Sequence, residues 1–488
     1  MATEELRKES IAEGLELRDR EKIENPAELL QESLNGLNKY GGFTLLKGLM
    51  KGVEMMDPSK KATKNIFLND SELEQERRAL KTGLKMWLSI LEEENGKDAM
   101  SDNASEQMKE HCEKAREEIL KRLQKNLKTV REKIKRMEIT YRTLNTFFAN
   151  VGQGKVDCLT LMNVDRQQLW DFDSNDSKAI KKELSRYYDR LNLKNNYSLL
   201  VIPGYMVDVN EDDKEDFEQH FKGNAIKPII SSWAKTAYKN KVIMVTDFQD
   251  ADDFDSLMMM LDKANLQDTD VQLSNTVMTC NYLFGRKKSE QAGEEEDLYL
   301  PGSAALAGRM ANTEEVVISQ GVAGKKYGTL DNVMGAKFDL LKSEISALID
   351  KGVVPMVEED GRTMAFSDNT LYNSGVGGSL GLQEYPIVRV FDWIGKVFQQ
   401  YFNDQFGRVW DSSVRSELNQ KVHDFLSGIK GPGELIENYN LKKIEQDPNT
   451  KDIKIEVELK PFFAAKNFLI ELTGHDGKAG AEWDQKVN

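Results

Sequence analysis

The sequence predicts a mixed α+β and α/β fold: a helical N-terminal region with a long heptad helix, an α/β middle domain, and a C-terminal α+β domain that ends in strands. Three observations carry this reading. Residues 97–151 hold neither Gly nor Pro and repeat apolar residues at alternating steps of three and four. Apolar runs of strand length then alternate with helical patterns. Finally, IKIEVELK (453–460) alternates apolar and charged residues with a period of two. The expected boundaries are 1–112, 113–150, 151–375 and 376–488.

The first 150 residues read as helical. TEELRKESIAEGLELRDREK is charged and weakly amphipathic until Pro26, and GGFTLLKGLMKGVEMM is more apolar but punctuated by glycine. SELEQERRALKTGLKMWLSILEEE opens with Ser71 three residues before Glu74, a capping-box spacing, and DNASEQ reads as a loop. In the stretch that follows, Leu120, Leu123, Leu127, Val130, Ile134, Met137, Tyr141, Leu144 and Phe148 form one stripe. Such a run gives a helix of about 35 residues, roughly 50 Å long; it reads either as a core helix of one domain or, as its length favours, as a helix laid along a partner's helix.

In the middle domain KVDCLTLMNV, YSLLVIPGYMV, KVIMVTDF and DVQLSNTVMTCNYLFG read as strands, with helices KAIKKELSRYYDRL, KPIISSWAKTAYKN and FDSLMMMLDKA between them. KKSEQAGEEED reads as a surface loop, and LDNVMGAKFDLLKSEISALIDKG as a helix from residue 330 that Gly352 ends. MVEEDGRTMAFSDNTLY has a hairpin turn at Asp360-Gly361, and NSGVGGSLG is a break. VFDWIGKVFQQYF and SSVRSELNQKVHDFLSGI read as helices, and NYNLKKIEQDPNTKD (438–452) as a linker. In the terminal strands Ile453, Ile455, Val457 and Leu459 share one face; Phe468, Ile470 and Leu472 resume the period of two after Pro461. Two strands alone are marginal in water, so these need company. Behind them lies a Gly- and charge-rich tail.

Composition excludes several classes. A net charge of −15 lacks the basic face of a general nucleic-acid binder. The start, MATEELRKES, is charged, so no secretory leader is expected; no stretch nears the ~20 apolar residues of a membrane span. Cys112, Cys158 and Cys280 are far apart, and with His111, His220, His423 and His475 they form no zinc spacing, so no cofactor is expected and a reducing cytoplasm fits.

Catalytic motifs are scarce. GVAGKKYGT (321–329) fails the phosphate-loop spacing, because Ser319 and Lys326 stand where Gly and Ser or Thr belong; it reads as a surface turn. In DFQDADDFD (247–255) Asp247, Asp250 and Asp253 have the chemistry of a Mg²⁺ site for phosphoryl transfer. The simpler reading makes Asp252 or Asp253 the cap of the next helix, and no Lys or His lies nearby in sequence as an acid–base partner. The Met258–Met260 run reads as core packing.

Three segments, in order, resemble one family. RMEITYRTLNTFFANVGQGKVDCLTLMNVDRQQL (136–169) resembles the large subunit of the type VI secretion contractile sheath, the TssC/VipB-like family. IDKGVVPMVEEDGRTMAFSDNTL (349–371) resembles a segment shared with phage tail sheaths. The helices from Tyr385 to Ile429 and the strands from Ile453 resemble the C-terminal sheath domain of both. Where the commoner type VI sequences carry Trp and Gly, this chain has Tyr141 and Thr143, which marks a divergent member.

The resemblance implies a cytoplasmic structural subunit, not an enzyme, in an envelope-anchored bacterial secretion machine. It implies pairing with a small sheath subunit (TssB/VipA-like) and self-assembly as a helical polymer on a baseplate, around an inner tube (Hcp-like). Contraction would then drive the tube outward. The Leu120–Phe148 stripe becomes the small-subunit helix, and the terminal strands become inter-subunit strands joined by partner chains. A AAA+ ATPase (ClpV-like) would grip residues 3–24, with Ile11 and Leu15 as its handle. The alternatives are a sheath protein of a phage-like injection particle and the Mg²⁺-dependent enzyme above.

Overall fold

The computed structural model describes residues 138–152, 159–162, 164, 166–193, 196–207, 226–288, 296–375, 378–464, 470–475 and 482–487, with 53–56 and single helical positions at 82, 85 and 135. The chain divides into two units, Met1–Phe406 and Gly407–Asn488. The first runs β1 (Val53–Met56), α1 (138–151), β2 (Leu159–Met162), α2 (Arg166–Trp170), α3 (Asn175–Ser185), β3 (Leu199–Ile202), α4 (Ile226–Lys239), β4 (Ile243–Asp247) and α5 (Phe254–Ala264). It continues with β5 (Thr276–Cys280), β6 (Leu283–Arg286), β7 (Leu298–Leu300), α6 (Ser303–Ala311), α7 (Gly324–Tyr327), α8 (Lys342–Asp350), β8 (Val354–Glu359), β9 (Arg362–Ala365) and α9 (Tyr385–Asn403). Single 3-10 turns lie at Val271–Asn275 and Leu380–Gln383.

The apolar runs fold as the sequence predicts. β3, β4, β5 and β8 pair in parallel in the order β3-β4-β5-β8, and β9 closes the edge antiparallel to β8. Every residue of β4 and β5 is buried, as a parallel sheet covered on both faces requires. Alternate residues feed two cores. Met244 and Met278 point into one with Ile180 of α3, Trp233 of α4 and Leu257 of α5. Val245 and Val277 point into the other with Tyr141 and Phe148 of α1 and Leu306 of α6. Each such side chain, fully buried, contributes about 1.5–3 kcal/mol. At Gly308 a Cβ would sit 2.3 Å from the Phe147 carbonyl oxygen, so α1 crosses α6 at a distance only glycine permits.

Several expectations are corrected. Val53–Met56, read as helical, is a strand paired in parallel with β2; its glycine-punctuated surroundings favour helix poorly, and a distant partner supplies the ladder. The run DVQLSNTVMTCNYLFG is a 3-10 turn, then β5, then β6, separated where Asn281 takes φ 61°. The helix expected from residue 330 begins only at Lys342. Upstream, Asn332 and Gly335 take φ of 60° and 153°. The Gly335 carbonyl accepts the Phe284 N–H at 2.8 Å, and the Lys337 N–H donates to the Tyr282 carbonyl at 2.8 Å, so this stretch lines up beside β6 instead. The Asp360-Gly361 hairpin forms with φ of 53° and 69°. Within the Met run, Met258 and Met260 pack against the first core while Met259 is exposed.

The second unit holds α10 (Ser412–Gly428), β10 (Asn438–Gln446), β11 (Ile453–Lys460), β12 (Ile470–His475) and β13 (Glu482–Val487). The stretch read as a linker is thus mostly β10, antiparallel to β11, and the tail contains β13, antiparallel to β12. β10 hides its alternation because the pairing slips one residue between Leu441 and Lys443. That bulge sets Tyr439, Leu441 and Ile444 opposite Leu459, Val457 and Ile455.

Candidate functional site

The acidic strand end lies at the C-terminal edge of the parallel strands, where open α/β sheets bind ligands. Its chemistry is used internally. Asp247 Oδ1 accepts the Ser303 N–H at 2.8 Å and the Thr279 hydroxyl; Oδ2 accepts the Gly204 N–H at 2.7 Å and the Ser303 hydroxyl at 2.5 Å. Burial pushes this carboxyl above its usual range, and the four donors act against that shift. A carboxylate engaged four times over joins three chain segments and has little left for a cation. Asp253 caps α5, accepting the Ser256 N–H at 2.8 Å. Asp250 and Asp252 do meet a lysine, contrary to expectation: Lys337 Nζ lies 3.0 and 3.1 Å away, brought in by the stretch beside β6. Among the described residues no cluster of His, Cys, Asp or Glu is placed to hold a metal.

Within GVAGKKYGT only Gly324–Tyr327 (α7) is a helical turn, with Lys325 and Lys326 exposed, while Val322 before it is buried in the second core and donates its N–H to the Tyr385 hydroxyl at 2.6 Å. Lys325 pairs with Glu359 at 3.3 Å and Asp360 at 2.8 Å on the β8–β9 hairpin.

The apolar stripe divides. Leu120, Leu123, Leu127, Val130, Ile134 and Met137 lie outside the described residues. Tyr141 and Phe148 are buried in this chain's own core, with Leu144 packed against it. At the changeover stands Glu138, buried, taking the Arg286 guanidinium at 2.7 and 2.9 Å and Arg142 at 2.8 Å. Burial alone would raise its carboxyl, but the two arginines outweigh that and hold it at about 2. The pair ties α1 to β6.

In the second unit the structure places Ile453, Ile455, Val457 and Leu459 on β11, and Ile470 and Leu472 on β12; Phe468, like Ile11 and Leu15, lies outside the described residues. Asp411 caps α10, accepting the Val414 N–H at 2.8 Å, and Leu418, Val422 and Leu426 are buried along one stripe. That helix packs on β10, where Ile444 is buried. Tyr439 fastens the two: its hydroxyl lies 2.7 Å from the Ser427 hydroxyl and 3.1 Å from His423 Nδ1. β11 is less covered. Ile455, Val457 and Leu459 remain half-buried and Ile453 is 45% exposed. Among the described residues no third strand joins either hairpin. The arrangement offers backbone donors, acceptors and an unfinished apolar face, which suits strand addition and not chemistry.

Three family models match the chain in order. The N-terminal region of TssC/VipB-like proteins matches residues 30–132, the central domain of type VI secretion system TssC/VipB matches 129–373, and the C-terminal domain of TssC/VipB-like proteins matches 384–488. No curated protein matches the sequence. Among solved structures, a chain of the anti-feeding prophage baseplate is 13% identical over 68% of this chain and 80% of its own, with a TM-score of 0.46. A chain of the contracted anti-feeding prophage sheath is 13% identical over 67% and 79%, with a TM-score of 0.44. A chain of a contracted extracellular injection system sheath is 12% identical over 68% and 80%, with a TM-score of 0.41. With the central-domain model spanning half the chain and the other two flanking it, the protein belongs to the TssC/VipB family of type VI secretion contractile sheath subunits.

Proposed function

We propose that this sheath subunit works as the large member of a two-protein unit, pairing with a smaller sheath protein (TssB/VipA-like) and stacking in the cytoplasm around an inner tube (Hcp-like) on a baseplate. It catalyses nothing. The stripe from Leu120 to Met137 carries the pairing, since Tyr141 and Phe148 are occupied within the chain's own core. Residues 3–24, with Ile11 and Leu15, serve as the grip for a AAA+ disassembly ATPase (ClpV-like). The terminal strands Ile453–Leu459 and Phe468–Leu472 are completed by strands of neighbouring protomers.

The observation that carries this reading is β11, a strand whose apolar row is half-buried and which, among the described residues, pairs on one side only. Edge strands left this way invite another strand, and contraction requires neighbours to stay linked while they move. Co-expression with the small subunit tests it. The full chain should form ribbed tubes by electron microscopy. A chain ending at Asp452 loses β11 and the strands after it and should still yield the heterodimer with a cooperative melt, yet no tubes. Tubes from the shortened chain would show that the last strands serve no neighbour.

A further inference from the structure

The chain passes from its first unit to its second between Phe406 and Gly407, and the link there is built unlike the helices on either side. Before it, α9 tapers. The Asp404 N–H still reaches the Gln400 carbonyl at 3.3 Å, as in an α-helix. The next two N–H groups turn to closer carbonyls, Gln405 to Phe402 at 3.0 Å and Phe406 to Asn403 at 3.3 Å, the tighter bonding of a fraying end. After the link, order returns at once. The Arg408 guanidinium donates to both oxygens of Glu417, at 3.2 and 2.7 Å, and Asp411 caps α10. From Arg408 onward the chain is tied to its own unit.

Gly407 stands between them with φ 89°. Gly308 and Gly328 are glycines for want of room, since a Cβ at either would lie 2.3 Å from a carbonyl oxygen. At Gly407 no described atom comes within 4 Å of that point. Packing does not call for glycine here; the backbone conformation does, because residues with a side chain rarely take such a φ. Nor is this the glycine that ends a helix. That position follows the cap directly, and the cap of α9 is Asp404, which makes Gln405 the residue in question.

Glycine takes negative and positive φ about equally well, so a residue that permits this conformation permits others at little cost. The side chains beside it do not hold it in place. Phe406 is 95% exposed and Val409 79%, so the apolar groups of the link bury almost nothing. We infer that Gly407 is a pivot, about which the second unit takes up more than one orientation to the first. On the proposed reading its use is that strands held by a neighbour can turn without straining the five-stranded sheet. The pivot itself belongs to the unassembled chain. It therefore stands or falls apart from the sheath reading, which fails if the protein forms no polymer.

The test uses the full chain, dilute and unassembled, with Cys112→Ser and Cys158→Ser and the buried Cys280 left in place. Spin labels on Met259→Cys of α5 and Lys421→Cys of α10 report across the link; labels on Lys182→Cys of α3 and Met259→Cys report within the first unit. Double electron–electron resonance should give a wider spread of distances across the link than within the unit. Gly407→Pro, which fixes φ at about −65°, should shift the mean distance and narrow the spread. Gly407→Val, barred from positive φ by its branched side chain, should do the same, and decides the matter if the proline variant fails to fold. The valine variant should melt with wild type, because a free link turns instead of straining. A spread across the link no wider than the internal control overturns the inference. So does an unchanged distribution in the folded variants, or a lower melting temperature for the valine variant, which would mean that the fold itself holds Gly407 at positive φ.

Discussion

β4 and β11 are both short apolar-rich strands, and they are completed in opposite ways. β4 lies between β3 and β5 in the five-stranded sheet, with every residue buried and helices over both faces. β11 has one partner strand and an apolar row that stays half in solvent. The first owes its stability to the chain it belongs to. The second has a ladder edge and a face that no other described strand covers, so on the proposed reading its residues should matter little to the protomer and greatly to the polymer.

The largest expected effect strikes the self-sufficient side. Trp233 is buried in α4 and donates its indole N–H to the Leu169 carbonyl at 2.8 Å, so Trp233→Ala should cost about 3–5 kcal/mol in urea unfolding of the protomer. A smaller loss would mean this core is looser than its burial implies.

Next in size is Glu138. Its carboxyl is held at about 2, below its unfolded value, so the stability it confers is present above about pH 4.5 and drains away as pH falls toward 2. The full shift corresponds to about 3 kcal/mol, an upper figure for a buried group with two arginine partners. Glu138→Gln should remove most of that at neutral pH and flatten the acid limb of a melting-temperature profile. A variant with the same acid limb as wild type would place the charge economy elsewhere.

The smallest effect on the protomer belongs to Ile453, 45% exposed at the start of β11. Ile453→Ser should shift unfolding by no more than about 0.5 kcal/mol. Tube formation should nonetheless weaken measurably in sedimentation. If both stay unchanged, or if the protomer suffers as Trp233→Ala does, the contrast between the two strands collapses.

The sequence was a good guide wherever the pattern is local. The runs that became β4 and α4, and a cap at Asp252 or Asp253, which the structure gives to Asp253, follow from periodicity and capping chemistry. It misled where one residue breaks register: the bulge between Leu441 and Lys443 makes β10 look like a linker, and Gly335 with Asn332 diverts an apparently helical stretch. The acidic strand end was half legible. Its carboxylates are plain in DFQDADDFD, but Ser303, Thr279 and Gly204, which saturate Asp247, come from three separate segments. Lys337, eighty-odd positions from Asp250 and Asp252, is likewise invisible to any local motif.

By itself the sequence determined the alternation of strand and helix in the middle domain, the apolar period of β11, the lack of catalytic motifs and the family the chain belongs to, because each of these depends on residue order over short spans or on motif succession. Only the tertiary structure decided that the upper stripe at Tyr141 and Phe148 is core, that Asp247 joins three distant segments through hydrogen bonds, and that β10 already occupies one side of β11. Those outcomes turn on which distant groups arrive at a given surface, and burial and hydrogen-bond satisfaction are settled by that arrival, not by spacing along the chain.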